Sequence, residues 1–342
     1  GFIGAPSLAG FAANYSIAGF HSLDVPPTAY LSFQLMFAII TAALISGACA
    51  ERIKFSSFVV FICIWLFLVY IPIAHWSFSP EGWLARRGLL DFAGGTVVEI
   101  CSGFSSLGLV LALGKRHNWP KEAVRPHSVP LALAGAGIIW FGWFGFNAGS
   151  ALQANQTAAI AFLNTQVAAG LGLCGWLIVE RIKDSHPTTL GAVSGAIAGM
   201  VAITPCAGFV EPPAAIVIGL LAGIVCSIFV SFKQKFRLDD TLDVLGVHGI
   251  GGVIGTILVG LFATKVVNSS GKNGLFFGGG FHALAIQILG VGASAAWAFA
   301  LSYLIAMGIK KLIGLRPELQ VEMQGLDINL HQEAAYSLSD VR

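Results

Sequence analysis

Short charged loops divide the sequence into nine apolar stretches, Thr28–Ala50, Phe55–Ala74, Asp91–Gly114, Val129–Ala151, Thr157–Val179, Leu190–Val210, Pro213–Phe232, Val244–Ala263 and Ala283–Ile309. Each reaches or approaches the roughly 20 apolar residues that a helix needs to cross a hydrocarbon core of about 30 Å. In lipid every backbone polar group has to be satisfied inside the protein, which a helix does within itself. The stretches therefore predict an all-α polytopic membrane protein, with residues 1–314 as the transmembrane domain and 315–342 as a polar tail.

The charge inventory agrees. Only 11% of the 342 residues are charged, against about 25% in a soluble domain, and the mean hydropathy is +0.80. A water-soluble globule is excluded, because 36 charged side chains cannot cover the surface of a chain this long. A net charge of +2, with Lys and Arg scattered in pairs, leaves no basic stripe for nucleic acid. Of the 19 Lys and Arg, 15 fall in one set of alternate loops and the tail, and four, Arg86, Arg87, Lys265 and Lys272, fall in the other. Positive residues are retained on the cytoplasmic side, so the N-terminus is expected outside and the tail in the cytoplasm. The six cysteines lie in or beside apolar runs, form no CxxC, and read as small packing residues. Glycines four apart, as in Gly191/Gly195/Gly199, Gly145/Gly149, Gly219/Gly223 and Gly251/Gly255, predict close helix packing.

Two ionisable residues sit where a bilayer penalises them, Glu99 in the third span and His248 just inside the eighth. Their surroundings match. Asp91 and Asp240 each precede them by eight residues, Val98 and Val247 by one, and Gly103 and Gly252 follow by four. The two spans are five apart and so cross in opposite directions, the pattern of an inverted repeat. Eight helical residues rise about 12 Å, which brings Glu99 and His248 from opposite faces to nearly the same depth. Such a pair is either a buried packing bridge or a proton relay, and a histidine beside a carboxylate is suited to relay. For Asp91 and Asp240 the competing reading is helix capping. If the eighth span closes a five-helix unit, the third closes a unit of which only three spans are present. Two upstream helices are then expected to be missing, in keeping with a sequence that begins at Gly1.

The motifs AERIKF (Ala50–Phe55), YIPIAHW (Tyr70–Trp76), DFAGGTVV (Asp91–Val98), GWFGFNAGSA (Gly142–Ala151), SGAIAGMVAITP (Ser194–Pro205), DDTLDVLGVHG (Asp239–Gly249) and GLDINLHQEAAY (Gly325–Tyr336) give the chain a specific resemblance to ammonium transporters of the Amt/Mep/Rh superfamily, on the Amt/Mep side. That resemblance implies the ammonium-transporter fold, two inverted five-helix repeats plus a final helix, with nine of eleven spans present here. It also implies a homotrimer in the plasma (inner) membrane, each protomer with its own pore for ammonium or ammonia, and no cofactor or metal. Phe37 and Phe146 resemble the stacked pair that gates the outer mouth, Ser150 the hydroxyl that recruits ammonium, and Trp143 a pore-lining residue. Asp91 is assigned by the same likeness to recruitment, and Asp240 and Asp243 to structural roles. The family's vestibule tryptophan is replaced by Phe78, with Trp76 and Trp83 nearby. The family's usual paired histidines are replaced by Glu99 with His248, a variation that resembles some fungal members and implies a displaced pH dependence of transport. The tail resembles a regulatory segment, either a trimer clasp or a contact for a PII-type signal protein. An ammonium sensor and an electroneutral ammonia channel of the Rh type are the rival functions. No HExxH, spanning GxSxG or metal-ligand cluster points to an enzyme.

Overall fold

The structure, a computed structural model, describes residues 24–117, 119–120, 126–233 and 235–335. The start of the chain, Lys121, Arg125, Tyr336 and Arg342, and the expectations placed on them, lie outside these residues. Nine long helical segments occur among the described residues: α1 Pro27–Cys49, α2 at residues 55–78, α3 Gly95–Leu113, α4 Val129–Gly149, α5 Gln156–Lys183, α6 Thr189–Ile203, α7 Pro212–Phe232, α8 Leu245–Phe262 and α9 Gly280–Leu312. Their starts follow local rules. Pro27 and Pro212 occupy first turns. Ser128, Asn155 and Thr188 cap α4, α5 and α6 by accepting from Leu131, Ala158 and Gly191 N–H groups.

Eight of the nine are long and apolar enough to cross a membrane; α6, with 15 residues, is not. The apolar run that predicts a span to Val210 stops being helical at Ile203, and residues 204–210 continue as buried turns. Irregular backbone at that depth has to be satisfied by protein. The Asn164 amide on α5 donates to Ala207 O at 2.9 Å and Val210 O at 2.8 Å. Phe92 and Ala93 donate to Pro205 O and Thr204 O, and Thr264 N–H donates to Phe209 O at 2.8 Å.

The glycine spacing does what small residues do between helices. On α6 and α7, Gly199, Gly219 and Gly223 lie directly on the backbone of Ala168 and Gly172 in α5, and Gly255 on α8 lies on Ala202. Gly145 differs: a side chain there would meet nothing within 4 Å, so this member of the Gly145/Gly149 pair packs against no other helix among the described residues. Gly199→Ala is expected to cost about 1–3 kcal/mol, because its Cβ collides with the Ala168 carbonyl, whereas Gly137→Ala, whose Cβ meets nothing within 4 Å, should be at least as stable as the wild type. Thermal unfolding of the two variants in detergent checks this.

Helices α3 and α8 cross antiparallel at their first turns. Gly103 abuts Gly249, while Gly252 abuts Glu99 and Gly95, so position rises along one helix as it falls along the other. Both first turns are π-helical, Gly95–Ile100 and Leu245–Gly249. Each is entered through a left-handed residue five positions before the ionisable one, Gly94 at φ +110° and Asp243 at φ +61°. Each is capped by the matching aspartate: Asp91 accepts from Thr96 N–H at 2.8 Å and Asp240 from Leu245 N–H at 2.7 Å, both five residues on.

At the tail end of the bundle, Arg52 is fully buried. It donates to Gly114 O at 2.9 Å, Thr241 Oγ1 at 2.7 Å and Asp239 O. Arg116 grips the Asp239 carboxylate with Nη2–Oδ1 at 2.8 Å and also reaches Glu51 at 2.7 Å. Residues 313–335 fold back over this cluster. Lys54 N–H donates to Leu315 O at 2.9 Å, and Arg316 holds Lys115 O at 2.6 Å and the Glu322 carboxylate.

Burial, reinforced by the charge of Asp243, pushes the Asp240 carboxyl up to about 6. A carboxyl raised on folding favours the folded state below its ordinary pKa near 3.9, and that contribution disappears as pH rises through the folded value. The wild-type Tm is therefore expected to rise as pH falls from about 7 to about 5. Asp240→Asn keeps an acceptor for Leu245 N–H and should flatten this segment of the profile; an unchanged slope contradicts the assignment.

Candidate functional site

The crossing of α3 and α8 brings Glu99 and His248 into direct contact. His248 Nδ1 and Glu99 Oε2 are 2.7 Å apart, and the Glu99 side chain is completely buried. With the carboxylate ionised, Nδ1–H donates and a neutral ring keeps Nε2 as an acceptor; with the carboxyl protonated, its O–H donates to Nδ1. One proton thus has two seats along a single line. The second carboxylate oxygen, Oε1, is buried without a hydrogen-bond partner among the described residues, so the site carries acceptor capacity beyond the pair itself.

Glu99 and His248 border a cavity of about 230 Å³ whose other walls are apolar, from Met36, Ile40 and Leu44 on α1 to Ile139, Trp143 and Phe146 on α4. Met36, Ile40 and Leu44 form one i, i+4, i+8 stripe on α1. That spacing is visible in the sequence, but apolar stripes are ordinary in a membrane helix. At one end of the cavity Phe37 stacks on Phe146, with centroids 4.6 Å apart and planes inclined by 24°. Trp143 meets Phe146 edge to face at 5.6 Å. Its indole N–H donates to Thr204 Oγ1 at 3.0 Å, which ties this wall to the point where α6 ends. Thr204 escapes notice in the sequence because it lies inside an apolar run.

Beyond the stacked rings, Phe78 sets its edge against Phe37 at 5.6 Å. Trp76, two residues earlier and so on another face of the same helix, packs instead on Trp83 at 5.7 Å and Trp297 at 5.2 Å. Among Trp76, Phe78 and Trp83, Phe78 adjoins the stacked pair. Ser150 caps the end of α4, its hydroxyl donating to Phe146 O at 2.8 Å.

Asp91 is not free to meet a solute directly. One oxygen accepts from Gly94 and Gly95 N–H at 2.9 and 2.6 Å, and the other from the Thr96 N–H and hydroxyl, so the carboxylate is committed to its own helix start. Asp240 occupies the matching position at α8, and Asp243 pairs with Lys233 at 2.6 Å.

Comparison with known proteins adds an independent line. The model of the Ammonium Transporter Family matches residues 1–336. The chain is 47% identical over 320 residues to an ammonium transporter of Bacillus subtilis, which covers 93% of this chain and 78% of that protein. The crystal structure of Saccharomyces cerevisiae Mep2 resembles it with a TM-score of 0.80 and 36% identity, over 86% of this chain and 70% of the other. A structure described as a sensor Amt protein does so with a TM-score of 0.81 and 32% identity, over 89% and 76%.

Proposed function

The chain belongs to the ammonium transporter family, and on that premise we propose that it moves ammonium across the membrane as ammonia plus a separately relayed proton. Ammonium is recruited outside the stacked Phe37 and Phe146 rings by the Phe78 ring, which adjoins Phe37, and the Ser150 hydroxyl, which adjoins Phe146. A cation over an aromatic face gains about 0.5–2 kcal/mol. It gives up its proton there, because the apolar space beyond Phe37 and Phe146 disfavours an unescorted charge. Ammonia passes the stacked rings, while the proton moves through Glu99 and His248 and rejoins it at the tail side. Asp91 acts by positioning the turn that carries Glu99. The observation that carries this reading is the 2.7 Å contact between Glu99 and His248 at the edge of an otherwise apolar cavity.

The surrounding assignments belong to the same proposal. The protein is a multi-pass membrane protein; the plasma (inner) membrane, an external N-terminus and a cytoplasmic tail are proposed from the loop charges. A homotrimer is proposed from membership of the family. The folded-back tail is proposed as the cytoplasmic contact for a PII-type signal protein. A second reading, an ammonium sensor, is favoured by the similarity to the sensor Amt protein. Ammonium flux into vesicles containing the protein decides between the two. Uptake well above that of protein-free vesicles supports transport, and saturable ammonium binding without added flux supports the sensor.

A further inference from the structure

Three of the four basic residues outside the tail-side loops, Arg87, Lys265 and Lys272, come from loops far apart in sequence yet line one pocket of about 320 Å³ with His282 and the start of α9. The fourth, Arg86, has its own carboxylate, Glu81. Among the described residues no carboxylate forms an ion pair with the other three. The loop carrying the two lysines is tightly held. Asn273 Oδ1 accepts from Lys265 N–H at 2.8 Å, Gly274 N–H donates to Ala263 O at 2.7 Å and Gly279 N–H to Gly274 O at 2.9 Å. The Lys272 ammonium lies over Gly88, where a residue at φ +97° without a side chain leaves it room. Arg87 is aimed by donating to Trp83 O at 3.2 Å and lying over the Trp83 ring.

Three exposed cations with no carboxylate partner among the described residues, gathered at one pocket, concentrate positive potential there and favour an anion. The rim of the pocket indicates which anion. Val266, Phe276 and Phe281 are exposed beside it, followed by Ile288 and Leu289 along α9, and exposed aromatic and apolar side chains next to basic ones mark the membrane interface. We infer that this pocket binds the phosphate of an anionic phospholipid in the leaflet opposite the tail, with the acyl chains lying along α9.

Thermal unfolding of the full chain in neutral detergent, titrated with phosphatidylglycerol, phosphatidylcholine or inorganic phosphate, tests the inference. Phosphatidylglycerol is expected to raise the Tm saturably and phosphatidylcholine is not. Lys265→Gln with Lys272→Gln should need about thirtyfold more phosphatidylglycerol for the same shift, at about fivefold per charge. Arg87→Gln alone should show the smaller, single-charge effect and covers the case in which the double variant folds poorly. Arg181→Gln with Lys183→Gln, on the tail-side loops, should titrate as wild type. Equal titration of all variants overturns the site. A shift reproduced by millimolar inorganic phosphate and lost in the lysine variant overturns the lipid and assigns a soluble anion.

Discussion

Glu99→Gln is expected to leave the protein folded and to reduce the ammonium-evoked current of reconstituted vesicles by about 100-fold, the lower range for removing a proton-transfer group. Glutamine fills the same volume and still hydrogen-bonds His248 Nδ1, now 2.7 Å from the carboxylate. What it lacks is the second seat for the proton, since an amide neither ionises nor gives up its hydrogens at this pH. Retained thermal stability together with lost current separates relay from packing. If the contact were only a packing bridge, Glu99→Gln would carry nearly the wild-type current. Glu99→His, which creates two facing imidazoles, should keep a current and displace its pH profile, because a pair that is neutral or singly positive replaces one that is neutral or negative.

Arg52→Ala has the largest expected effect on stability, a loss of about 3–5 kcal/mol, because three acceptors lose one buried charged donor at about 1–3 kcal/mol apiece. The guanidinium is fully buried and is the joint between the loop after α1, the end of α3 at Gly114 and the turn that leads into α8 at residues 239–241. Truncation leaves two carbonyls and the Thr241 hydroxyl facing a void. Arg52→Lys should recover only part of the loss, since one ammonium cannot span three acceptors in different directions. Urea or thermal unfolding of both variants in detergent measures the difference. The loosened turn carries Asp240, the cap of the helix that presents His248, so the surviving Arg52→Ala protein should also transport more slowly.

The spans and the Glu99–His248 pair are legible in the sequence because the bilayer makes both conspicuous, one by length and the other by cost. The repeat is legible only in part. Asp91 with Asp240 and Gly103 with Gly252 are matched letters, whereas Gly94 and Asp243 hold the same left-handed conformation with different ones. Glycine adopts it freely, and aspartate is among the few other residues that tolerate it. The early end of α6 is invisible, because Leu190–Val210 stays apolar throughout and what permits the break is the Asn164 amide from another helix. Asp91 is ambiguous for a related reason. An acid before a helix reads equally as recruiter or cap, and only the geometry, with both oxygens turned onto residues 94–96, shows where its bonds go. The basic pocket is hidden because the charges that form it, at 87, 265 and 272, share no local pattern.

The separation of ammonia from its proton is tested most directly by recording, on the same wild-type vesicles, the charge moved and the ammonium accumulated after an ammonium pulse. Passage of the proton through Glu99 and His248 predicts about one elementary charge for each ammonia delivered, a ratio that falls towards zero in Glu99→Gln with whatever flux remains. Accumulation without charge in the wild type, or an unchanged ratio in Glu99→Gln, would contradict it.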